Sequence, residues 1–210
     1  MKLLCCVLMS FFAFSEARAV VYGDHWVALS PEEKEMLEIG LEESPLPSYC
    51  PRLTEFAAKA RWDRPALDAE ADLILVDKKR RLIHLMRQEQ ILATYTMALG
   101  GNPMGHKKKE GDEKTPEGRY IFEVKNLKSE YHLSLGINYP NRKDKAEAHK
   151  NGIKDPGDSI MIHGLPNNWV KRKLIRHPRD WTKGCMAVTN SEIEEIFARM
   201  PLGGLIEICP

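Results

Sequence analysis

The chain opens with one lysine, Lys2, then a continuous apolar run from Leu3 to Phe14, then the small-x-small triplet Ala17-Arg18-Ala19. That layout predicts a secretory signal peptide over residues 1–19, its apolar run too short for a membrane span. Helical patterning follows. Ser30-Pro31-Glu32-Glu33 combines a capping serine, a first-turn proline and a glutamate at capping-box spacing. Met36, Leu37, Ile39 and Leu41 supply an apolar face before Pro45-Leu46-Pro47 stops the helix. A second helical piece is predicted near Leu53 to Arg61, and Pro65 marks a boundary. Residues 20–69 therefore read as a helical N-terminal extension.

From Ala71 the pattern shifts to short β-type runs between charged turns. Leu73 to Val76, Leu82 to Met86 and Ile91 to Leu99 predict three antiparallel strands, followed by Gly100-Gly101. Pro103 to Lys114 is polar and reads as a loop. Thr115-Pro116-Glu117-Gly118 is a turn into a strand over Tyr120 to Val124. One or two helical turns are predicted over Asp144 to Lys150, closed by Asn151-Gly152. Ile160-Met161-Ile162 reads as a short buried strand. Ile193, Ile196, Phe197 and Met200 recur at i, i+3, i+4 and i+7, predicting a helix capped by Asn190 or Thr189. Leu205 to Cys209 is a last strand. Residues 70–210 thus form one mostly β domain, and no internal repeat interrupts it.

Charge narrows the partners. Removing residues 1–19 takes Lys2, Arg18 and Glu16 from totals of 31 basic and 30 acidic residues, leaving 29 of each. A balanced mature chain gives no reason to expect a nucleic-acid partner. Three cysteines remain: Cys50, Cys185 and Cys209. In an oxidising compartment an odd count leaves one thiol over. If Cys185 is the reactive one, Cys50 and Cys209 are left to tie the N-terminal segment to the final strand; three pairings exist, and three separate thiols are the alternative.

The candidate chemistry lies in His163-Gly164 and Thr182-Lys183-Gly184-Cys185. A thiol needs a base or a positive field to become a nucleophile, and a histidine at a strand end can supply that base. Taken singly, Cys185 reads as a buried structural thiol and His163 as a hydrogen-bonded core group. His106, His132, His149 and His177 show no zinc-ligand spacing, so no metal site is expected. Only convergence of His163, His177 and Cys185 would make one.

Together, the His-Gly pair, the Thr-x-Gly-Cys loop, Gly100-Gly101 and the Thr-Pro-Glu-Gly turn resemble the L,D-transpeptidase catalytic domain, or YkuD, family over roughly residues 70–209. The resemblance implies a β-sandwich-like fold and a cysteine acyltransferase that needs no cofactor. It implies a thioester acyl-enzyme on peptidoglycan stem peptides, D-alanine release, and cross-linking or protein attachment, in an exported and periplasmic setting. It makes Cys185 the nucleophile and His163 the general base, with the Gly164 carbonyl orienting the imidazole. The Gly184 and Cys185 backbone N–H groups become oxyanion donors. Thr182, Lys183, Trp181, Tyr139 and Asn141 become substrate-contact candidates.

Two positions depart from the family pattern: Lys183 stands where histidine is frequent, and Ala187 where arginine is frequent. The second keeps open an L,D-carboxypeptidase, or a hydrolase acting on the link between peptidoglycan and a wall-attached lipoprotein. A non-catalytic peptidoglycan-binding module is a third alternative. Leu165 to Trp181 carries Lys171, Arg172, Lys173, Arg176 and Arg179, and reads as a basic lid or as a solvated surface segment, with Trp169 and Trp181 expected to pack beneath it and a wall for substrate as the alternative.

Overall fold

The structure is a computed structural model describing residues 20–22, 25–43, 48–59, 69–175 and 180–210. The expected signal peptide, the Pro45–Pro47 stop, the boundary at Pro65 and His177 lie outside the described residues. Among the described residues ten strands form one sheet system: β1 (Val20–Tyr22), β2 (Trp26–Ala28), β3 (Leu73–Asp77), β4 (Leu82–Arg87), β5 (Gln90–Thr96), β6 (Gly118–Ser129), β7 (His132–Ile137), β8 (Met161–His163), β9 (Met186–Ala187) and β10 (Leu205–Cys209). The α-helices of the described residues are α1 (Pro31–Glu42), α2 (Leu53–Lys59), α3 (Arg142–Lys150), α4 (Trp169–Leu174) and α5 (Asn190–Arg199).

The strands run in the order β5-β4-β3-β10-β6-β7-β8-β9, with β2 also pairing β6. Isolated bridges Ala98↔Ala187 and Gly100↔Thr182 join the chain leaving β5 to β9 and the segment before it. The path therefore returns on itself. β3, β4 and β5 are antiparallel, as the short, tight turns between them require. Two parallel contacts, β10 with β3 and β8 with β9, need long excursions of chain between them.

The unbroken apolar run of β3 has a direct cause: both its faces are covered. Ile74 and Val76 enter the main core with Leu85, Phe122, Leu135, Ile162, Met186 and Ile206. Leu73 and Leu75 face a second cluster with Leu53 and Phe56 from the start of α2. The α5 periodicity resolves the same way, with Ile193, Ile196 and Met200 fully buried and the helix packed on β7 and β8. Its cap is Thr189, whose side chain accepts from Glu192 N–H while Glu192 closes the box.

The N-terminal extension carries the expected helices, α1 and α2, and adds a strand pair before them. Residues 20–22 and 26–28 form a hairpin, and β2 adds to β6 through Val27↔Lys125. The exposed edge of β6 offers unpaired backbone groups, and that edge outweighs the local pattern. α1 follows with its Ser30–Glu33 capping box intact. It leans on β6 through Lys34–Glu123, and Asn138 Nδ2 donates to Glu38 Oε1 at 2.9 Å. Cys50, which opens a 3₁₀ turn, is disulfide-bonded to Cys209 at the end of β10. Beside this bond the buried Glu207 carboxylate accepts from Tyr49 N–H at 3.1 Å and pairs with Arg119 Nε at 3.4 Å.

Candidate active site

The two chemistry-bearing motifs meet on β8 and β9. Ile162 stands opposite Met186 and His163 opposite Ala187 in parallel register. One step back, Cys185 is level with Met161. Because side chains alternate along a strand, Cys185 and His163 emerge on the same face, one diagonal step apart. Ile162 and Met186, between them, point to the core.

His163 is 5% exposed, and its Nδ1 lies 2.7 Å from the Gly164 carbonyl oxygen. A carbonyl can only accept, so Nδ1 carries the proton and Nε2 is left as the base. Two aromatic rings enclose the imidazole: Tyr131 at 4.5 Å between centroids and Trp181 at 5.7 Å. Burial there holds the imidazole down to about 4, against the opposing pull of the Gly164 carbonyl. Cys185 is a half-buried free cysteine with Sγ 3.5 Å from the Ser159 carbonyl oxygen. Burial pushes its thiol up to about 11, while the Met161 backbone N–H and the Lys107 ammonium act in the other direction. At neutral pH the resting pair is thus a neutral thiol and a neutral imidazole. In a pair of this kind the unprotonated imidazole nitrogen, Nε2, is chemically able to take up a thiol proton.

The loop before Cys185 is built on Thr182. Its hydroxyl donates to the Cys185 carbonyl at 2.7 Å and accepts from Gly184 N–H at 3.2 Å. Thr182 is 6% exposed, so this side chain braces the loop instead of facing substrate. Gly184 N–H, an expected oxyanion donor, is engaged by that same hydroxyl. Gly184 itself has φ of 128°, and a Cβ there would come 2.6 Å from the Lys114 carbonyl oxygen. Only glycine accommodates that approach. On the far side of the loop, Asp180 accepts from Leu99 N–H at 2.9 Å and pairs with Arg81 at 2.7 Å, which places Trp181 against His163.

The other expected contacts divide. Lys183 is exposed at the rim and Trp181 borders the imidazole. Tyr139 is not a cleft residue: it is 4% exposed, with its hydroxyl 3.1 Å from the Pro156 carbonyl oxygen. Asn141 caps α3, accepting from Asp144 N–H at 3.0 Å. Both sequence positions fall near a turn, where capping and core packing compete with substrate contact. Asn190 is not the α5 cap; its Oδ1 accepts from Leu165 N–H at 2.9 Å and so steadies the chain just after His163-Gly164.

Trp169 is 64% exposed, with Lys173 Nζ 4.4 Å from its ring centroid, which replaces the expected packing beneath a lid. Arg176 and Arg179 lie outside the described residues. Among the described residues the group suited to a metal ion is Cys50, Glu207 and Cys209, whose sulfurs are bonded to each other and offer no thiolates. Tyr131, whose ring lies against His163, carries no sequence signal for that place. Tyr131 sits in the β6–β7 turn, which carries no Gly-based hairpin signal.

Comparison with known proteins places this geometry. A family model described as the L,D-transpeptidase catalytic domain (YkuD) matches residues 71–208. The putative L,D-transpeptidase YafK of Escherichia coli (strain K12) is 31% identical over 131 residues, covering 59% of this chain and 45% of the relative. The chain thus spans about half the length of the curated relatives it matches. Among solved structures, it is similar to the helical cell shape determining protein Pgp2 from Campylobacter jejuni, at 26% identity and TM-score 0.49, over 67% of this chain and 48% of that one. Bd1075 from Bdellovibrio bacteriovorus is 27% identical at TM-score 0.46, over 72% of this chain and 52% of that one. With the family match running from just before β3 into β10, and the His-Gly and Gly-Cys motifs at the ends of the paired strands β8 and β9 within it, the chain belongs to the L,D-transpeptidase catalytic domain family.

Proposed function

We propose that this protein is an exported cysteine acyltransferase of peptidoglycan stem peptides, with Cys185 as nucleophile and His163 as general base. The observation that supports the reading is the parallel register of β8 and β9, which sets His163 and Cys185 one diagonal step apart on the same side, with Nδ1 of His163 tied to Gly164. Sγ attacks the carbonyl carbon preceding a terminal D-residue. As the C–S bond forms, the thiol proton passes to Nε2 and the carbonyl electron pair moves to oxygen. Collapse breaks the C–N bond, and the departing amine takes the proton from His163. An acceptor amine then attacks the thioester, giving a cross-link or an attached protein and restoring the thiol.

A second reading ends the same thioester on water. The observation favouring it is Ala187, which faces His163 across the strand pair and is 1% exposed. An alanine there brings no charge to meet a substrate carboxylate. Incubation of the chain from residue 20 with tetrapeptide muropeptides tests both readings. D-alanine with 3–3 dimers supports transfer to an amine, and trimmed stems without dimers, or lipoprotein freed from lipoprotein-bearing peptidoglycan supplied in parallel, support hydrolysis. Folded, reduced protein that yields neither rejects the acyl-transfer chemistry.

A further inference from the structure

The Gly184–Cys185 stretch is pinned at three of its four backbone polar atoms. Thr182 engages Gly184 N–H and the Cys185 carbonyl. The third partner is remote in sequence: Thr115 Oγ1 donates to the Gly184 carbonyl at 2.8 Å. Thr115 is 0% exposed, so water does not compete for that carbonyl. Pro116 restricts Thr115 to extended backbone. Thr115 is held in turn by Lys78, a buried ammonium that donates to the Thr115 carbonyl at 2.9 Å, to Gly105 O at 2.8 Å and to Glu117 Oε1 at 2.7 Å.

The consequence follows from peptide planarity. The Gly184–Cys185 bond is not among the cis peptides, so its C=O and the Cys185 N–H point in opposite directions. Fixing the carbonyl inward on Thr115 aims the Cys185 N–H outward. A nucleophile's own backbone N–H is a well-placed donor for the oxyanion formed on the carbonyl it attacks. With Gly184 N–H taken by Thr182, the direction of this one donor matters more.

We propose that Thr115 is a positioning residue of the acyl-transfer step: its hydroxyl, anchored through Lys78, sets the Gly184–Cys185 peptide plane so that Cys185 N–H faces the developing oxyanion. This rests on the acyltransferase reading above. Thr115 touches no substrate; it acts through the peptide it holds.

Two reagents separate this role from scaffolding. Imipenem acylates the thiol through a tetrahedral oxyanion, whereas iodoacetamide alkylates it with no oxyanion. In Thr115→Val the imipenem rate constant, followed by intact mass, is expected to fall on the order of 10²-fold, the lower range for loss of one oxyanion donor. The iodoacetamide rate is expected to stay near that of the wild type. Thr115→Ser, which keeps the hydroxyl, should restore acylation, and Thr115→Ala makes the same comparison if valine prevents folding. A hydroxyl-free variant that acylates at the wild-type rate overturns the proposal. So does a parallel change of both rates, or a serine variant as slow as the others. A wild-type protein that alkylates but never acylates overturns the acyltransferase reading as well, so the two failures are distinguishable.

Discussion

The neutral state of His163 makes folding stability depend on pH in a way that one substitution isolates. In the unfolded chain the imidazole titrates near 6.5, and in the folded protein burial holds it down to about 4. Above about 6.5 both states carry neutral imidazole and the full stability is present. As pH falls below that value the unfolded chain takes up the proton first, and stability is lost until the folded protein protonates near 4. At about 1.4 kcal/mol per pH unit, the gap corresponds to about 3 kcal/mol. His163→Gln keeps a donor for the Gly164 carbonyl and removes the titration. Urea unfolding of both proteins at about pH 7 and about pH 4 gives the measurement, because carboxylates and His84 titrate in both and cancel. The wild type is expected to lose about 3 kcal/mol more than the variant across that interval. Equal losses would refute a buried, neutral imidazole.

The remaining predictions concern the thiol, its loop and the braces around them. Because burial raises Cys185 to about 11, its alkylation rate should climb about tenfold per pH unit from neutrality towards that value. A plateau beginning near neutral pH would mean a preformed thiolate. Gly184→Ala places a methyl group against the Lys114 carbonyl at positive φ, and imipenem adduct formation should drop by more than about 10²-fold; a normal adduct would show that the loop yields. The Cys50–Cys209 bond spans 159 residues, so loop-closure entropy sets an upper figure of about 5 kcal/mol, and double replacement by serine should cost about 2–5 kcal/mol in urea unfolding. An unchanged midpoint would contradict that. Lys78→Met leaves the Gly105 and Thr115 carbonyls without their shared donor, and a destabilisation of about 3 kcal/mol is expected by thermal unfolding.

Legibility of this fold in the sequence followed the range of the interactions involved. β3 to β5, α5 and the capping boxes depend on neighbours a few residues apart, so period and turn chemistry reveal them. The β1–β2 hairpin depends on the free edge of β6, almost a hundred residues away, and leaves little local trace. β7 has little local signal because its hairpin turns through Glu130-Tyr131 without the usual glycine. At the site, His163 and Cys185 were marked by their motifs. Tyr131, Asp180 and Thr115 act through distant partners, and only Thr115 sat in a turn the sequence had already singled out. Tyr139 and Asn141 show the reverse error, where a position close to a cleft motif serves core packing and helix capping.

The circular path of the strands bears on when this enzyme acquires its chemistry. β10 is the keystone inserted between β3 and β6, yet it is translated after every other strand of the circuit. Until residues 205–209 have been made, the β3–β5 meander and the β6–β9 arm, which carries both the imidazole and the sulfur, lack the strand that joins them. A nascent chain therefore holds both reactive groups without the closed frame that aligns them, and competence arrives late, with β10 itself.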